Sequence, residues 1–306
     1  MGTAELGGAE VAAIGPGRAR VKAVPWYATN QARRLIHHAV VYLLLSLGAI
    51  SFIAPFLWMV STSLKDPKHV FDFPPQWIPR PIVWRNYIDA WTVLPFNLFL
   101  RNTCIITFHN VVANVISSAV AGYSFCRLRA RLRDALFLLV LATMMIPWEV
   151  TMIPVFVLWS ELGITNTFVP LMLPAWFGVP FYIFMLRQFF MSIPYDLDDA
   201  ARIDGCSNWG IFWRIIMPLS KPALAAVAIF SFVGNWNNFL GPLIYLNSMD
   251  RYTLAVGLNM MRNTQYGTKI QLLMAASTVT VLPVLVIYFS AQKYFIQGVT
   301  LTGIKA

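Results

Sequence analysis

Long apolar stretches alternate with short polar segments along most of the chain. Six of the stretches are long enough to cross about 30 Å of hydrocarbon, a distance that takes about 20 residues of α-helix. They lie at residues 38–62, 97–124, 135–158, 168–191, 219–247 and 271–294. The pattern predicts an all-α, polytopic membrane protein with six transmembrane helices.

Prolines predict that one of these helices is not straight. Pro147 and Pro154 both fall within the stretch 135–158. A proline has no backbone N–H to donate, and neighbouring groups in a membrane bundle can absorb the resulting kink. We therefore expect this helix to be broken or bent there.

Composition supports the membrane assignment. Hydrophobic residues make up 58% of the 306 residues and charged residues only 12%, whereas a soluble domain is about 25% charged. This excludes a disordered chain, a disulfide scaffold and almost any ordinary soluble enzyme. The three cysteines are far apart and no histidine stands at metal-ligand spacing, so we expect no metal site and no redox chemistry.

The basic residues predict the orientation. With the N-terminus placed in the cytoplasm, 15 Lys and Arg fall on the inner side and 8 on the outer side. Cytoplasmic loops of membrane proteins are enriched in these residues, and Arg127–Arg133, basic at every second position, gives the strongest indication. Both termini are therefore expected inside, and the net charge of +10 reflects membrane orientation rather than nucleic-acid binding.

The same reasoning divides the chain. Residues 1–35 are predicted to form a disordered cytoplasmic tail, and residues 36–306 a transmembrane domain. Residues 63–96 form an extracytoplasmic loop rich in Pro and Trp, either an interfacial belt of aromatic side chains or a docking surface for an external protein. Residues 192–221 form a long cytoplasmic loop.

The chain lacks the usual signatures of an enzyme. It contains neither the G-x-x-x-x-G-K-[ST] phosphate loop nor H-E-x-x-H, and we predict no catalytic residue. A membrane enzyme would need a catalytic cluster near one interface, and an ion-coupled carrier would need paired intramembrane charges and repeated halves. Glu149 is the one acid well inside an apolar stretch; we expect it to line the substrate pathway or to stabilise the helix break.

The cytoplasmic loop has the pattern of a short helix–turn–helix. Pro194 precedes three acids, Asp196, Asp198 and Asp199, which suit the positive end of a helix dipole. Asp198 and Arg202 stand at i,i+4 and are expected to pair. Gly205 can take a positive φ and end this helix, after which Ser207 or Asn208 can cap a second one.

The loop also carries a family resemblance. Asp199-Ala200-Ala201, Gly205, Ile215 and Met217-Pro218 resemble the EAA-x3-G-x9-I-x-LP signature of ABC-importer permeases, with Asp for Glu and Met for Leu. We call residues 192–221 the EAA loop. Over residues 35–306 the chain resembles the MalG-type permeases of carbohydrate uptake. The further matching passages are Lys65-Asp66-Pro67, Met145-Ile146-Pro147, Ile153-Pro154, Trp236-Asn237-Asn238-Phe239 and Gln292-Lys293-Tyr294-Phe295.

This resemblance implies a type I ABC-importer permease fold in a bacterial plasma membrane, with an EAA coupling helix in the cytoplasm. The implied partners are a MalF-like second permease, two ABC ATPase subunits and an extracytoplasmic solute-binding protein. The implied substrate is a di- or oligosaccharide; a glycerol-phosphate compound or a polyol stays open. No cofactor is expected on this chain, since the ATPases bind the ATP. The residues expected to couple to the ATPases are Asp199, Ala200, Ala201, Asp204, Gly205, Ile215 and Pro218.

A polar interruption in the fifth stretch provides the candidate substrate contacts. Trp236, Asn237 and Asn238 lie in an otherwise apolar segment. Amides that faced lipid would be penalised, so some must face the bundle interior or a cavity. They are expected to bind sugar hydroxyls, together with Glu149 as a pathway residue. The alternatives are hydrogen bonds between helices and a sugar site held mainly by the partner permease.

Overall fold

The computed structural model describes residues 30–262 and 269–303, and every regular element in these ranges is helical. The α-helices are α1 (Asn30–Ser63), α2 (Arg85–Val93), α3 (Phe96–Arg127), α4 (Arg133–Ala142), α5 (Trp148–Glu161), α6 (Val169–Met172), α7 (Pro180–Met191), α8 (Asp196–Ile203), α9 (Asn208–Ile211), α10 (Met217–Leu219), α11 (Lys221–Trp236), α12 (Leu240–Tyr245), α13 (Leu254–Arg262) and α14 (Ile270–Gly303). A π-helical turn, Phe212–Ile216, joins α9 to α10.

The described residues divide by their contacts at Phe56 and Leu57. In the first unit, the part of α1 up to Phe56 carries exposed apolar side chains on all its faces, which is typical of a lipid-facing span. The predicted tail lies outside the described residues up to residue 29. Residues 30–35, which we assigned to that tail, already belong to α1, so the predicted boundary at residue 35 is too late by about one and a half turns.

Four helical segments are each long and apolar enough to span a membrane. They are Arg34–Ser63, Phe96–Arg127, Val169–Met191 and Ile270–Ser290, and they correspond to the predicted first, second, fourth and sixth spans. Two further bent helix pairs raise the number to six if each pair is one span. The pair Arg133–Met145 and Trp148–Glu161 covers the predicted third stretch, and the pair Asn208–Leu219 and Lys221–Trp236 covers only the first part of the predicted fifth.

The third span is broken at Pro147, as predicted. Arg133–Met145 and Trp148–Glu161 meet at an angle of 96°. Ile146, immediately before the proline, has an extended backbone (φ −86°, ψ 113°), because the proline ring disfavours helical geometry in the residue that precedes it. Pro154, by contrast, lies inside α5 without interrupting it.

The fifth stretch differs from its prediction of one span over 219–247. The helix pair Asn208–Leu219 and Lys221–Trp236 bends by 80° at Ser220, and α11 ends at Trp236. The Asn237 side chain donates to the Val233 carbonyl (2.9 Å), and the Asn238 side chain accepts from the Gly241 backbone N–H (3.2 Å). Amides that satisfy backbone groups locally compete with helix continuation, so the polar interruption ends α11.

The second unit is organised around α3. This helix packs against α7 and α11, and α11 packs in turn against α14. A Cβ at Gly122 would lie 3.2–3.3 Å from backbone atoms of α7, so the missing side chain lets α3 and α7 approach closely, as small residues do in membrane bundles. One interior cluster includes Phe190, Phe212 and Val227.

The segment 63–96 is anchored to the end of α1. The Asn86 side chain donates to the carbonyls of Ser63 (2.9 Å) and Lys65 (2.8 Å). Lys65 is 1% exposed, and its ammonium lies 3.9 Å from the centre of the Trp58 ring. Other aromatic side chains of this loop, including Phe73 and Trp84, are exposed. Both interpretations of the loop therefore stay predictions.

Candidate functional site

The EAA loop forms the predicted helix–turn–helix. α8 ends in a turn at Gly205, whose φ is +81°. The Gly205 N–H donates to the Arg202 carbonyl (3.0 Å) and the Cys206 N–H to the Ala201 carbonyl (2.9 Å). This pair of bonds is the Schellman arrangement, which usually requires glycine at the left-handed position. Ser207 then caps α9 by accepting from the Gly210 N–H (3.2 Å).

The predicted coupling residues fall into two groups. Five have exposed side chains or backbone on the surface of the loop: Asp199, Ala200, Asp204, Gly205 and Pro218. Ala201 is buried and Ile215 is half-buried, and both pack against the interior cluster around Phe212. The Ala201 methyl group lies on the inner face of α8, so a coupling role for this residue would act through packing, and the coupling role of all seven residues stays a prediction.

The predicted ion pair between Asp198 and Arg202 does not form. Arg202 pairs with the exposed Asp199 at 3.1 Å. Asp198 lies on the inner face of α8 with its side chain 1% exposed, and its carboxylate is 3.4 Å from the guanidinium of Arg127, which is 0% exposed. From the sequence, Arg127 was used only to predict the orientation of the chain in the membrane. Its position at the last turn of an apolar helix was the available signal.

Arg127 makes several contacts in this buried site. Its Nη2 donates to the carbonyls of Phe190 (2.8 Å) and Ile193 (2.7 Å), and its guanidinium lies 4.0 Å from the centre of the Tyr195 ring. Burial raises the pKa of the Asp198 carboxyl above its usual value, and the Arg127 charge opposes that rise. The pair therefore lies in a desolvated position at the base of the EAA loop.

A cavity of about 780 Å³ opens beside this pair. It is lined by Arg127, Leu128, Arg129, Tyr195, Asp199, Arg202 and Asn208. Since three arginines and Asp199 contribute to its wall, the surface can accept charged and hydrogen-bonding side chains of another protein.

A second cavity, of about 840 Å³, lies between α5, the α6–α7 segment and the α11–α12 break, and we call it the membrane cavity. Its wall combines the aromatic side chains of Trp148, Trp159, Phe177, Phe239 and Tyr245 with aliphatic residues. Asn237, Asn238 and Thr151 contribute polar groups. The described residues that line this cavity include no Asp, Glu, Lys, Arg or His. The wall can stack on an apolar ring face and exchange hydrogen bonds, and it carries no formal charge.

Only two of the four predicted pathway residues line the membrane cavity. Asn237 and Asn238 line the cavity, whereas Trp236 does not. The Trp236 indole stacks on Phe232 at 5.3 Å and donates to the Thr280 carbonyl (3.0 Å). The side chain thus joins α11 to α14, which favours the alternative of a hydrogen bond between helices. Glu149 is exposed in the first turn of α5, beside Trp148 but outside the cavity wall, a position that favours the helix-break alternative.

A polar network behind this cavity was not predicted. The Asn110 side chain donates to the Leu171 carbonyl (2.9 Å) and to the Asn235 side chain (2.6 Å). The Asn114 side chain donates to Ser231 (2.9 Å). The sequence feature that could have predicted this network is the i,i+4 spacing of Asn110 and Asn114 in an apolar helix. These bonds join α3 to α6 and to α11, which is the interhelical role that asparagines commonly have in membranes.

The fold and these sites define a membrane-embedded permease subunit. Residues 113–301 match the family described as "Binding-protein-dependent transport system inner membrane component". The match covers more than half of the chain, so the protein belongs to this family.

Two relatives and one solved structure illustrate the likeness. The arabinooligosaccharides transport system permease protein AraQ of Halalkalibacterium halodurans is 41% identical over 74% of this chain and 81% of the relative. The sn-glycerol-3-phosphate transport system permease protein UgpE of Yersinia pestis is 31% identical over 84% and 94%. A bacterial ABC transporter that imports the acidic polysaccharide alginate has the same fold, with a TM-score of 0.78, 24% identity, and 89% of this chain and all of that chain covered.

Proposed function

We propose that this chain is one of two permease subunits of an ATP-driven importer for an uncharged di- or oligosaccharide. The second permease is MalF-like, two ABC ATPases bind the EAA loops, and an extracytoplasmic solute-binding protein delivers the sugar. The chain itself binds no cofactor, because the ATPases hold the ATP. Its setting is a bacterial plasma membrane with both termini in the cytoplasm.

The observation that carries the substrate class is the charge-free wall of the 840 Å³ cavity. Aromatic faces and amides suit a neutral sugar, whose C–H surfaces are apolar and whose hydroxyls need hydrogen-bond partners. A phosphate group would lose hydration without gaining a cation from this wall, at a large cost in free energy. The likeness to UgpE keeps the glycerol-phosphate alternative, and the cavity argues against it.

Uptake in a defined system tests the proposal. The four membrane and ATPase subunits are reconstituted in liposomes with the binding protein, and ATP-dependent uptake of labelled neutral oligosaccharides is compared with uptake of sn-glycerol-3-phosphate. We expect uptake of a neutral oligosaccharide only. Uptake of the phosphate compound instead would support the alternative, and accumulation of solute by this chain alone would show an ion-coupled carrier.

Variants of the two cavity amides test the site. We expect Asn237→Ala and Asn238→Ala each to reduce uptake at least threefold, because each removes a hydrogen-bonding group from the wall. Asn247→Ala is the matched control, since Asn247 is exposed and outside the cavity lining. Equal uptake by all three variants would remove these amides from the pathway.

A further inference from the structure

The EAA loop is connected by the chain to α7 on one side and to α11 on the other, but not to α3. Side-chain contacts make that third connection. The Tyr123 hydroxyl donates to the Asn208 carbonyl (3.1 Å), and the Tyr195 hydroxyl donates to the Cys126 carbonyl (3.2 Å). The Arg127–Asp198 pair is the ionic connection between the last turn of α3 and α8, at 3.4 Å.

The guanidinium of Arg127 joins three elements at once. One nitrogen, Nη2, donates to two carbonyls at the end of α7, those of Phe190 and Ile193. Carbonyls at a helix C-terminus lack helical partners and carry partial negative charge, so a cation there is stabilised. Nη1 faces Asp198. A displacement of α8 must therefore either carry Arg127 with it or separate two buried charges.

Stability alone does not explain such a pair. A buried ion pair loses hydration on folding, and apolar side chains of similar size often serve equally well, whereas loss of one partner leaves an uncompensated buried charge. The exposed Asp199–Arg202 pair on the same helix incurs no such desolvation. A buried pair at a junction of moving elements instead restricts them to a few relative positions.

We propose that Arg127 and Asp198 are positioning residues that transmit movement of α8 into α3, so that ATPase closure reshapes the bundle core as well as α7 and α11. The proposal rests on the proposed function. α3 is the helix against which both α7 and α11 pack, and its Asn110 contacts the Leu171 carbonyl next to the membrane cavity. The pair thus connects the EAA loop to the helix behind the substrate pathway.

The first test measures transport per ATP hydrolysed in the reconstituted complex. Asp198→Asn keeps the shape of the side chain and removes its charge. We expect it to leave ATP hydrolysis within twofold of wild type and to lower the number of sugars transported per ATP at least fivefold. Asp250→Asn, which removes an exposed ion pair with Arg251, is the control and should leave this ratio unchanged.

A wild-type ratio in Asp198→Asn would overturn the proposal while leaving the proposed function intact. Absence of sugar uptake by the wild-type complex would instead reject the proposed function. A merely structural role would lower the amount of assembled complex but not the transport ratio of the molecules that assemble.

The second test needs no variant. Amide hydrogen exchange is followed in the wild-type complex with and without ATP trapped on the ATPases. We expect the amides of α8 and those of the last two turns of α3 to change protection together. A change in α8 without any change at that end of α3 would overturn the proposal, even if Asp198→Asn failed to assemble.

Discussion

Among single residues, Gly205 determines the shape of the EAA loop. Its φ of +81° is a left-handed conformation, and no atom lies within 4 Å of a Cβ built at this position. Within this chain the glycine is therefore needed for its backbone and not for space. Any restriction on side-chain size here must come from a partner that approaches the loop.

We expect Gly205→Ala to destabilise the loop by about 1–2 kcal/mol, because an L-residue in the left-handed region is strained by that amount. Gly205→Trp should be equally destabilised but should reduce uptake at least tenfold further, since its side chain blocks the surface offered to the ATPase. Thermal unfolding and uptake are measured on both.

Gly210→Ala is the control for the glycine series. Gly210 is helical, and its added Cβ would lie 3.6 Å from the nearest atom, an ordinary contact, so stability should not fall. Equal uptake by Gly205→Trp and Gly205→Ala would show that no partner packs on this turn.

Lys65 is a second single residue of interest, because its buried ammonium should make the stability of the protein depend on pH. Burial lowers the pKa of its ammonium, and Asp72 partly opposes the shift. Between the lowered folded-state pKa and the unfolded value of about 10.4, the unfolded chain binds more protons. The free energy of unfolding therefore rises with pH across this range.

We expect Lys65→Met to raise the unfolding midpoint at pH 7 by ~2 °C and to remove the rise in stability that Lys65 causes towards pH 10. Lys68→Met, at an exposed position next to the same anchor, should retain that rise. Thermal unfolding of the solubilised protein from pH 7 to pH 10 is the measurement. Identical pH profiles for the two variants would contradict this account of the buried ammonium.

Among the elements, the broken third span is the feature with the clearest local cause. The 96° bend is located at Ile146 and Pro147, whereas α5 continues through Pro154. The two prolines therefore differ: Pro147 precedes the first turn of α5, where no N–H is needed, and Pro154 is absorbed within the helix. Trp148, immediately after the break, lines the membrane cavity.

Removing the break should impair transport. In Pro147→Ala the residues between Met145 and Trp148 can become helical, which would move Trp148 and the start of α5. We expect uptake at least fivefold below wild type with a normal amount of protein in the membrane. Pro154→Ala should stay within twofold of wild-type uptake; if both variants transported normally, the break would have no role in the pathway.

At the scale of the whole molecule, the orientation predicted from the charges can be tested by labelling. All three native cysteines are replaced, and a single cysteine is introduced as Lys68→Cys or Arg131→Cys. We expect a membrane-impermeant maleimide to label Lys68→Cys in spheroplasts and Arg131→Cys only after permeabilisation. The reverse pattern would place both termini outside.

The sequence by itself determined the element types, the approximate spans and the helix–turn–helix of the EAA loop. These follow from local causes: the length of apolar runs, the steric effect of the Pro147 ring on Ile146, and the ability of Gly205 to adopt a left-handed conformation. It also indicated that Asn237 and Asn238 face a cavity or the bundle interior, since amides in an apolar stretch need polar surroundings.

Only the tertiary structure decided which face of each helix is inside. The sequence pairs Asp198 with Arg202 by helical spacing, but packing of α8 on α3 and α7 buries Asp198 against Arg127, which lies 71 positions away. Trp236 and Asn237 are adjacent in sequence, yet one packs on α14 and the other lines the cavity. Neighbours on a helix point about 100° apart, so a residue's function depends on what the other helices place beside it.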